Sequence, residues 1–277
     1  MASRAKVAAP KSRKPAAKAA QAAKAGKQLA GEWWKSYFDA QYMLEYEPIF
    51  TLENDRRDVS RLIEVMELPT DAHILDVPCG QGRHAHLLAE NGFDVTGLDY
   101  SAHLLQRAKA RGTGTHLRYV RGDMRAMPAA WTGKFDVVLN LFTSFGFFTH
   151  PADDAKVIRE FARVLKPGGT LLWHGGSRDG VVARFLTRDW WTADDGTMVG
   201  HERSFDPLSG FLTVRTTVQQ GSGSFERTHQ IRLYTATRLA ELCAAAGLVV
   251  EQAWDGWRDR PLNRKSSEML LLARKEG

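Results

Sequence analysis

Between positions 73 and 174 short runs rich in β-branched and apolar residues alternate with stretches of helical periodicity. Strands are predicted at 73–77, 93–98, 117–121, 135–141 and 170–174, with helices at 83–91, 102–111 and 153–165 between them. Strands separated by helices need crossover connections, so they lie parallel in one sheet whose two faces the helices cover. Pro167-Gly168-Gly169 reads as a turn that stops the last helix and starts the fifth strand.

Beyond this region the period shortens to two. Residues 198–205, 211–219 and 224–234 alternate in polarity and are joined by Asp206-Pro-Leu-Ser-Gly210 and Gly221-Ser-Gly223, both turn sequences. They predict a small antiparallel layer inserted after the fifth parallel strand. An amphipathic helix at 237–246, stopped by Gly247, and strands at 249–254 and 267–274 complete the chain. Ahead of the sheet lies an aromatic segment in which Phe38, Tyr42 and Tyr46 fall on one helical face. A second helix at 55–67 carries Val59, Leu62, Ile63 and Met66 as its apolar stripe, and Pro69 is expected to end it. The predicted fold class is α/β: a doubly wound, mostly parallel seven-stranded sheet with a helical N-terminal lid and a small antiparallel β insertion.

Charge is unevenly placed along the 277 residues. The net charge is +6, yet residues 1–31 contain eight Lys or Arg and no Asp or Glu, which leaves the other 246 residues at −2. This Ala-, Lys- and Pro-rich tail has too little apolar surface to offset its ordering entropy and is expected to be disordered. The basic balance therefore reports a tail, not a basic folded face. Cys79 and Cys243 stand far apart in unrelated contexts, which is neither a disulfide framework nor a zinc pattern, so no metal and a cytoplasmic location are expected. No apolar run reaches the roughly 18–20 residues of a membrane span.

The densest chemical signal is Ile74-Leu-Asp-Val-Pro-Cys-Gly-Gln-Gly-Arg83, a strand entering a glycine turn that opens a helix. Gly80 and Gly82 let the backbone approach a ligand, and the helix N-terminus offers unsatisfied amides. Ala85 occupies the third glycine position of the nicotinamide fingerprint, and Asp76 would repel a pyrophosphate. An acidic residue there suits a zwitterionic, sulfonium-bearing ligand instead. The second strand ends at Asp99, able to accept from a ribose diol. The third ends at Gly122-Asp-Met124, where Asp123 can accept from an adenine amino group and Met124 offers the ring a soft apolar surface. The fourth ends at Leu139-Asn-Leu-Phe-Thr-Ser-Phe-Gly146. All fall at the C-terminal ends of parallel strands, where open α/β sheets bind ligands.

The order D-x-x-C-G-x-G, G-L-D, G-D-M and V-L-K-P-G-G resembles the class I S-adenosylmethionine-dependent methyltransferases, from about Leu44 to the C-terminus. More narrowly, Gly122-Asp-Met124, Leu141-Phe-Thr-Ser-Phe-Gly146 and the antiparallel insertion resemble bacterial small-molecule methyltransferases, of which the amino-sugar N-methyltransferases are best known. The resemblance implies a Rossmann-like fold with S-adenosyl-L-methionine as cofactor. It implies that Asp76, Gly80 and Gly82 contact the methionine end, with the Pro78 carbonyl nearby. Asp99 would bind the ribose, Asp123 and Met124 the adenine. Leu141 with Asn140 would lie beside the sulfonium, and Tyr42 would close over the cofactor as a lid residue. The chain departs from the pattern at Pro78, where small residues are usual, and at His174-Gly-Gly-Ser177, where relatives often carry acidic and amide residues.

The expected organisation is a basic tail (1–31), a helical lid (32–70), a cofactor-binding α/β domain (71–178 and 235–277) and an antiparallel insertion over the acceptor site (179–234). The expected activity is in-line methyl transfer to nitrogen or oxygen of a small-molecule acceptor. A hydroxyl acceptor would want a base, for which His150 and His174 are the candidates, with His201 and His229 in the inserted layer. A lone histidine of this kind is more often structural. Phe142, Phe145, Phe147 and Phe148 should form pocket wall and core, and Trp190 and Trp191 should either roof the pocket or pack the insertion onto the sheet, with packing favoured. Two other readings stay open. A nucleic-acid methyltransferase is suggested by the tail alone, against an acidic body and the lack of an Asn/Asp-Pro-Pro-aromatic motif. A cofactor-binding protein without activity is the third.

Overall fold

The computed structural model describes residue 29, residues 31–69 and residues 71–277. The expected disordered tail thus lies almost wholly outside the described residues.

Five parallel strands form the centre of the molecule: β1 (His73–Asp76), β2 (Asp94–Asp99), β3 (Leu117–Arg121), β4 (Phe135–Asn140) and β5 (Leu165–Gly176). With β10 (Leu248–Trp254) and β11 (Glu268–Lys275) they make a seven-stranded sheet in the order β10-β11-β5-β4-β1-β2-β3, in which β11 alone runs against the rest. The order turns back at β1, so β1 and β4 diverge to opposite sides and leave a crevice above their C-terminal ends. Helices α3 (Leu52–Met66), α4 (Arg83–Glu90) and α5 (Ala102–Arg111) cover one face through Val59, Leu62, Leu88 and Leu105. Helices α6 (Pro151–Val164) and α8 (Ala236–Ala244) cover the other through Val157, Phe161, Leu239 and Leu242.

Several boundaries differ from the sequence reading for local reasons. The aromatic segment is two short helices, α1 (Trp34–Tyr37) and α2 (Ala40–Tyr46), because Asp39 turns extended and caps the second by accepting from the Tyr42 amide at 3.1 Å. The Phe38–Tyr42–Tyr46 stripe survives the break, with ring centres 5.1 and 4.6 Å apart. Helix α3 begins at Leu52, earlier than expected, because the Thr51 hydroxyl accepts from the Asn54 amide. It ends at Met66, ahead of Pro69, as Glu67 turns left-handed. Strand β5 starts at Leu165, and the expected Pro-Gly-Gly turn is a bulge within it. Phe135 pairs with Leu165 and Val137 with Thr170, so residues 166–169 loop out opposite Asp136.

The insertion holds four strands, one more than expected: β6 (Arg188–Thr192), β7 (Met198–Phe205), β8 (Phe211–Gln220) and β9 (Gly223–Arg232), antiparallel in that order. A short helix, α7 (Arg178–Ala183), leads into them. Trp190 on β6 is 74% exposed, which corrects the expectation that it packs the insertion onto the sheet. That junction is made elsewhere. Fully buried Asp154 on α6 receives Arg232 and, at 2.7 Å, the Tyr234 hydroxyl. Among the described residues no helix is long and apolar enough to cross a membrane.

Candidate active site

The glycine turn between β1 and α4 is strapped to both neighbouring strands. The Cys79 amide donates to the Leu98 carbonyl at 2.9 Å, and the Asn140 side-chain amide donates to the Val77 carbonyl at 2.8 Å. Gly80 adopts φ +55°, with open space where a side chain would stand, and its N–H donates to Asp99 Oδ2 at 2.8 Å. Gly82 serves packing: a Cβ there would lie 2.5 Å from the Tyr119 hydroxyl and 2.9 Å from the Ala108 Cβ. The turn can therefore seat on α5 and β3 only with glycine at this position.

Two buried acids sit under the turn. Burial pushes Asp76 up to about 7, helped by the charge of Asp99 and opposed by Arg83. Burial likewise pushes Asp99 up to about 6, against backbone N–H groups of Ser101, Gly80 and Tyr100 that favour its charged form. Such acids hold their charge poorly until a cation or further donors arrive.

Beside Asp99 opens a cavity of about 600 Å³, part of it solvent. Of the residues expected at the cofactor, Tyr42, Pro78, Gly80, Asp99, Asp123 and Met124 line it. Asp76, Gly82, Asn140 and Leu141 do not; they are packed beneath it or into the sheet ends. Trp34 and Tyr100, which sequence reasoning missed, join Phe148, expected as pocket wall, in an aromatic wall, with Trp34 edge-on to both others at 4.9 and 5.5 Å. Arg125 was missed too. It grips Asp123 through Nε at 3.1 Å and Nη2 at 2.7 Å, and lies 4.5 Å from the Phe148 ring centre. Its place directly after Gly122-Asp-Met124 is the signal that could have found it. A buried acid that can accept from a diol, a glycine cradle and an apolar floor beside aromatic rings, all lining one cavity, fit an adenosine-bearing ligand.

A second cavity of about 1500 Å³, also partly solvent, adjoins the first, and Phe38, Tyr42, Ser144 and Phe147 line both. Its walls come from α1 and α2, from the loop after β4, and from β6 to β9. In that loop Phe142 and Thr143 are both left-handed, at φ +55° and +58°, a strained pair for non-glycine residues. His174 holds them there. Its Nδ1 accepts from the Phe142 amide at 3.3 Å and its carbonyl from the Thr143 amide at 3.0 Å.

Neither expected base reaches a cavity. His174 is 3% exposed and packed on Trp257, a support for the loop instead of a group at the site. His150 is exposed at the start of α6, because the loop before it turns its side chain to solvent. The acids, histidines and arginine of the second cavity are Glu45, His201, Arg203, His229 and Glu268, and Tyr37 is among its hydroxyl-bearing lining residues. Trp191 lines it as well, while its neighbour Trp190 points outward. Glu45 is 2% exposed. Burial pushes its carboxyl up, but hydrogen bonds from His201 and Thr216 and the nearby cations leave it below the usual range. Burial pushes His229 down to about 4, opposed by Glu45 and reinforced by His201, Arg227 and Arg203. Away from both cavities, Asp55, Asp58 and His84 come within 4.8 Å of one another, and Arg83 already supplies a cation to both acids.

Residues 74–169 match the family model described as a methyltransferase domain. The chain is 27% identical over 222 residues to YqeM of Bacillus subtilis (strain 168), a protein named for a methyltransferase activity assigned to it by inference, covering 75% of this chain and 86% of that one. Its fold is similar to that of the CcbJ methyltransferase from Streptomyces caelestis, with a TM-score of 0.71 at 19% identity, over 80% of this chain and 90% of that one. It is also similar to S-adenosylmethionine-bound CalS10, an amino pentose methyltransferase from Micromonospora echinaspora. There the TM-score is 0.65 at 21% identity, over 90% of this chain and 99% of that one. Residues 74–169 thus carry a methyltransferase domain in a Rossmann-like methyltransferase fold, and the matches support an S-adenosylmethionine-dependent methyltransferase.

Proposed function

We propose that the second cavity receives a compact small-molecule acceptor, and that the chain methylates it at an amine nitrogen. The observation that carries this reading is the shared wall of Phe38, Tyr42, Ser144 and Phe147, which joins a large aromatic cavity to the cofactor pocket. An ionised, buried Glu45 among Tyr37, Tyr46 and Phe147 suits a ligand that carries positive charge. CalS10, an amino pentose methyltransferase of similar fold, points the same way.

In this reading residues 32–70 are a lid and residues 179–234 a cover over the acceptor, both attached to a cofactor-binding core (71–178 and 235–277). Gly80 and Pro78 hold the methionine end, with Asp76, Asn140 and Leu141 supporting the turn from beneath; Asp99 holds the ribose; Asp123 and Met124 hold the adenine; Tyr42 closes the top. The cofactor supplies a methyl group on a sulfonium sulfur. The chain's own contribution is alignment of the nucleophile along the breaking bond and exclusion of water by the aromatic wall.

The test is an activity screen of small cyclic amines and amino sugars, run beside RNA and DNA, on the full chain and on a variant lacking residues 1–31. Methylated small amine with both proteins, and none on nucleic acid, is the expected result. Product on nucleic acid alone, lost with the tail, would replace this reading by the nucleic-acid one.

The raised acids make a prediction about pH. Unfolded, Asp76 and Asp99 titrate near the ordinary value of about 3.9. Folded, they sit at about 7 and about 6. From about pH 4 to about pH 7 the free folded protein therefore binds more protons than the unfolded chain, and these groups make stability fall as pH rises. A ligand bringing a cation and hydroxyl donors reverses that preference. Affinity for S-adenosylmethionine, by calorimetry, should be at least about tenfold higher at pH 8 than at pH 5.5, which lies more than one pKa unit below the Asp76 midpoint, each unit being a factor of ten. A flat profile would contradict the assignment of these acids.

A further inference from the structure

We propose that Glu45, Tyr37 and His229 form a relay that presents a bare Nε2 lone pair of His229 to the second cavity, as the group that takes the acceptor's proton. The proposal rests on the reading that this cavity holds the methyl acceptor.

Three separate elements bring the groups together: Tyr37 from α1, Glu45 from α2 and His229 from β9. The Tyr37 hydroxyl lies 2.9 Å from His229 Nδ1 and 3.4 Å from Glu45 Oε2. It has a single proton for two neighbours. A carboxylate can only accept, whereas a neutral imidazole nitrogen can do either. If Tyr37 donated to Nδ1, its oxygen lone pairs would face the Glu45 oxygen inside the protein with no proton between them. If it donates to Glu45, Nδ1 carries the ring proton and donates to the tyrosine oxygen. Every group is then satisfied, and buried polar groups are satisfied as a rule. Nδ1–H leaves Nε2 as an acceptor.

Among the described residues, Nδ1 is the only His229 ring nitrogen with a hydrogen-bond partner, and the residue lines the cavity. Its ring lies 29° from parallel to Trp33, centres 6.4 Å apart, and Trp33 stands edge-on to Phe147 at 5.8 Å. Phe147 borders both cavities, which puts the imidazole one aromatic layer from their junction. Burial keeps the ring neutral at physiological pH. The charged or titratable groups around it are Glu45 on α2, Tyr37 on α1, His201 and Arg203 on β7, and Arg227 on β9. Glu45 alone among the charged ones favours the imidazolium, so removing it weakens the base.

The chemistry balances without a further reactant. A protonated amine gives one N–H proton to Nε2, and the pair left on nitrogen forms the new N–C bond. The C–S pair stays with the sulfur, which leaves as a neutral thioether. Imidazolium Nδ1–H keeps its bond to Tyr37, and the Nε2 proton passes to solvent through the open side of the cavity.

Nitrogen NMR of the histidine side chains in the full chain reads the tautomer without any acceptor, with His229→Gln giving the assignment. The expected result at neutral pH is Nδ1–H in the wild type and a change to Nε2–H in Glu45→Gln, whose amide can donate to Tyr37 and turn its proton toward Nδ1. Nε2–H in the wild type, or no change in Glu45→Gln, would overturn the relay. Retained S-adenosylhomocysteine binding shows that each variant is folded. With an amine that the wild type methylates, His229→Gln should lower kcat about 100-fold or more, the usual share of a general base. Tyr37→Phe should lower kcat with little change in KM and move the acid limb of the pH profile. Unchanged kcat in His229→Gln would refute the base role. A wild type that methylates no small amine would refute the acceptor reading instead, while the tautomer result still decides the relay.

Discussion

Asp99→Ala is expected to weaken S-adenosylmethionine binding by at least about 100-fold, since hydrogen bonds to a charged group contribute roughly 1.5–3 kcal/mol each and a ribose diol offers two. The loss should exceed that of a simple contact residue. Asp99 also fixes the turn that faces the ligand, accepting from Gly80 N–H at 2.8 Å and Ser101 N–H at 2.7 Å. Asp99→Asn separates the two roles. One of its side-chain atoms can still accept from an amide while the charge is gone, so its loss should fall between wild type and alanine. Calorimetric titration with S-adenosylhomocysteine measures both. Unchanged affinity in Asp99→Ala would remove this residue from the cofactor site.

The second large effect is expected far from the cofactor, in stability. Asp154 is fully buried and receives both Arg232 and Tyr234, and Arg232 also donates to the Phe148 carbonyl at 3.2 Å and the Thr149 carbonyl at 2.9 Å. Asp154→Ala leaves a buried guanidinium without its counter-charge, which costs about 3–5 kcal/mol. In a protein of this size that corresponds to a fall in Tm of about 10 °C. Because the penalty comes from the stranded charge, Asp154→Leu combined with Arg232→Met should recover much of it. Thermal unfolding of the single and double variants makes the comparison. A double variant no better than the single would mean that Arg232 contributes chiefly through its bonds to the loop carbonyls. The clamp bears on function too, since Arg232 closes the strand that carries His229.

The parallel core was legible because its signals are local. Ala102–Arg111 and Leu117–Arg121 fall where the sequence puts them, the first capped by the Ser101 hydroxyl and each with the apolar period of its element. Strand β6 was hidden: Trp190 and Trp191 stand adjacent between Arg188, Asp189 and Thr192, so no alternation appears and the pair points to opposite faces. The site was legible in outline and not in orientation. A strand-end position does not say which way a side chain points, and so Asp76 and Asn140 were grouped with Asp99 although they lie beneath the cavity. The acceptor side was the least legible part. Its polar groups come from α1, α2, β7, β9 and β11, and only the folded chain brings Tyr37 within 2.9 Å of His229. His150 and His174 were nearer in sequence to the β4 and β5 ends, but one faces solvent and the other holds the Phe142–Thr143 loop.

The central claim is that two adjoining cavities divide cofactor from acceptor, and a crystal structure with S-adenosylhomocysteine tests it most directly. The account predicts adenine against Met124 and Tyr100, ribose hydroxyls on Asp99, and the sulfur at the shared wall of Phe38, Tyr42, Ser144 and Phe147, facing the second cavity. A sulfur turned away from that wall, or a ligand bound outside the cavity beside Asp99, would contradict it.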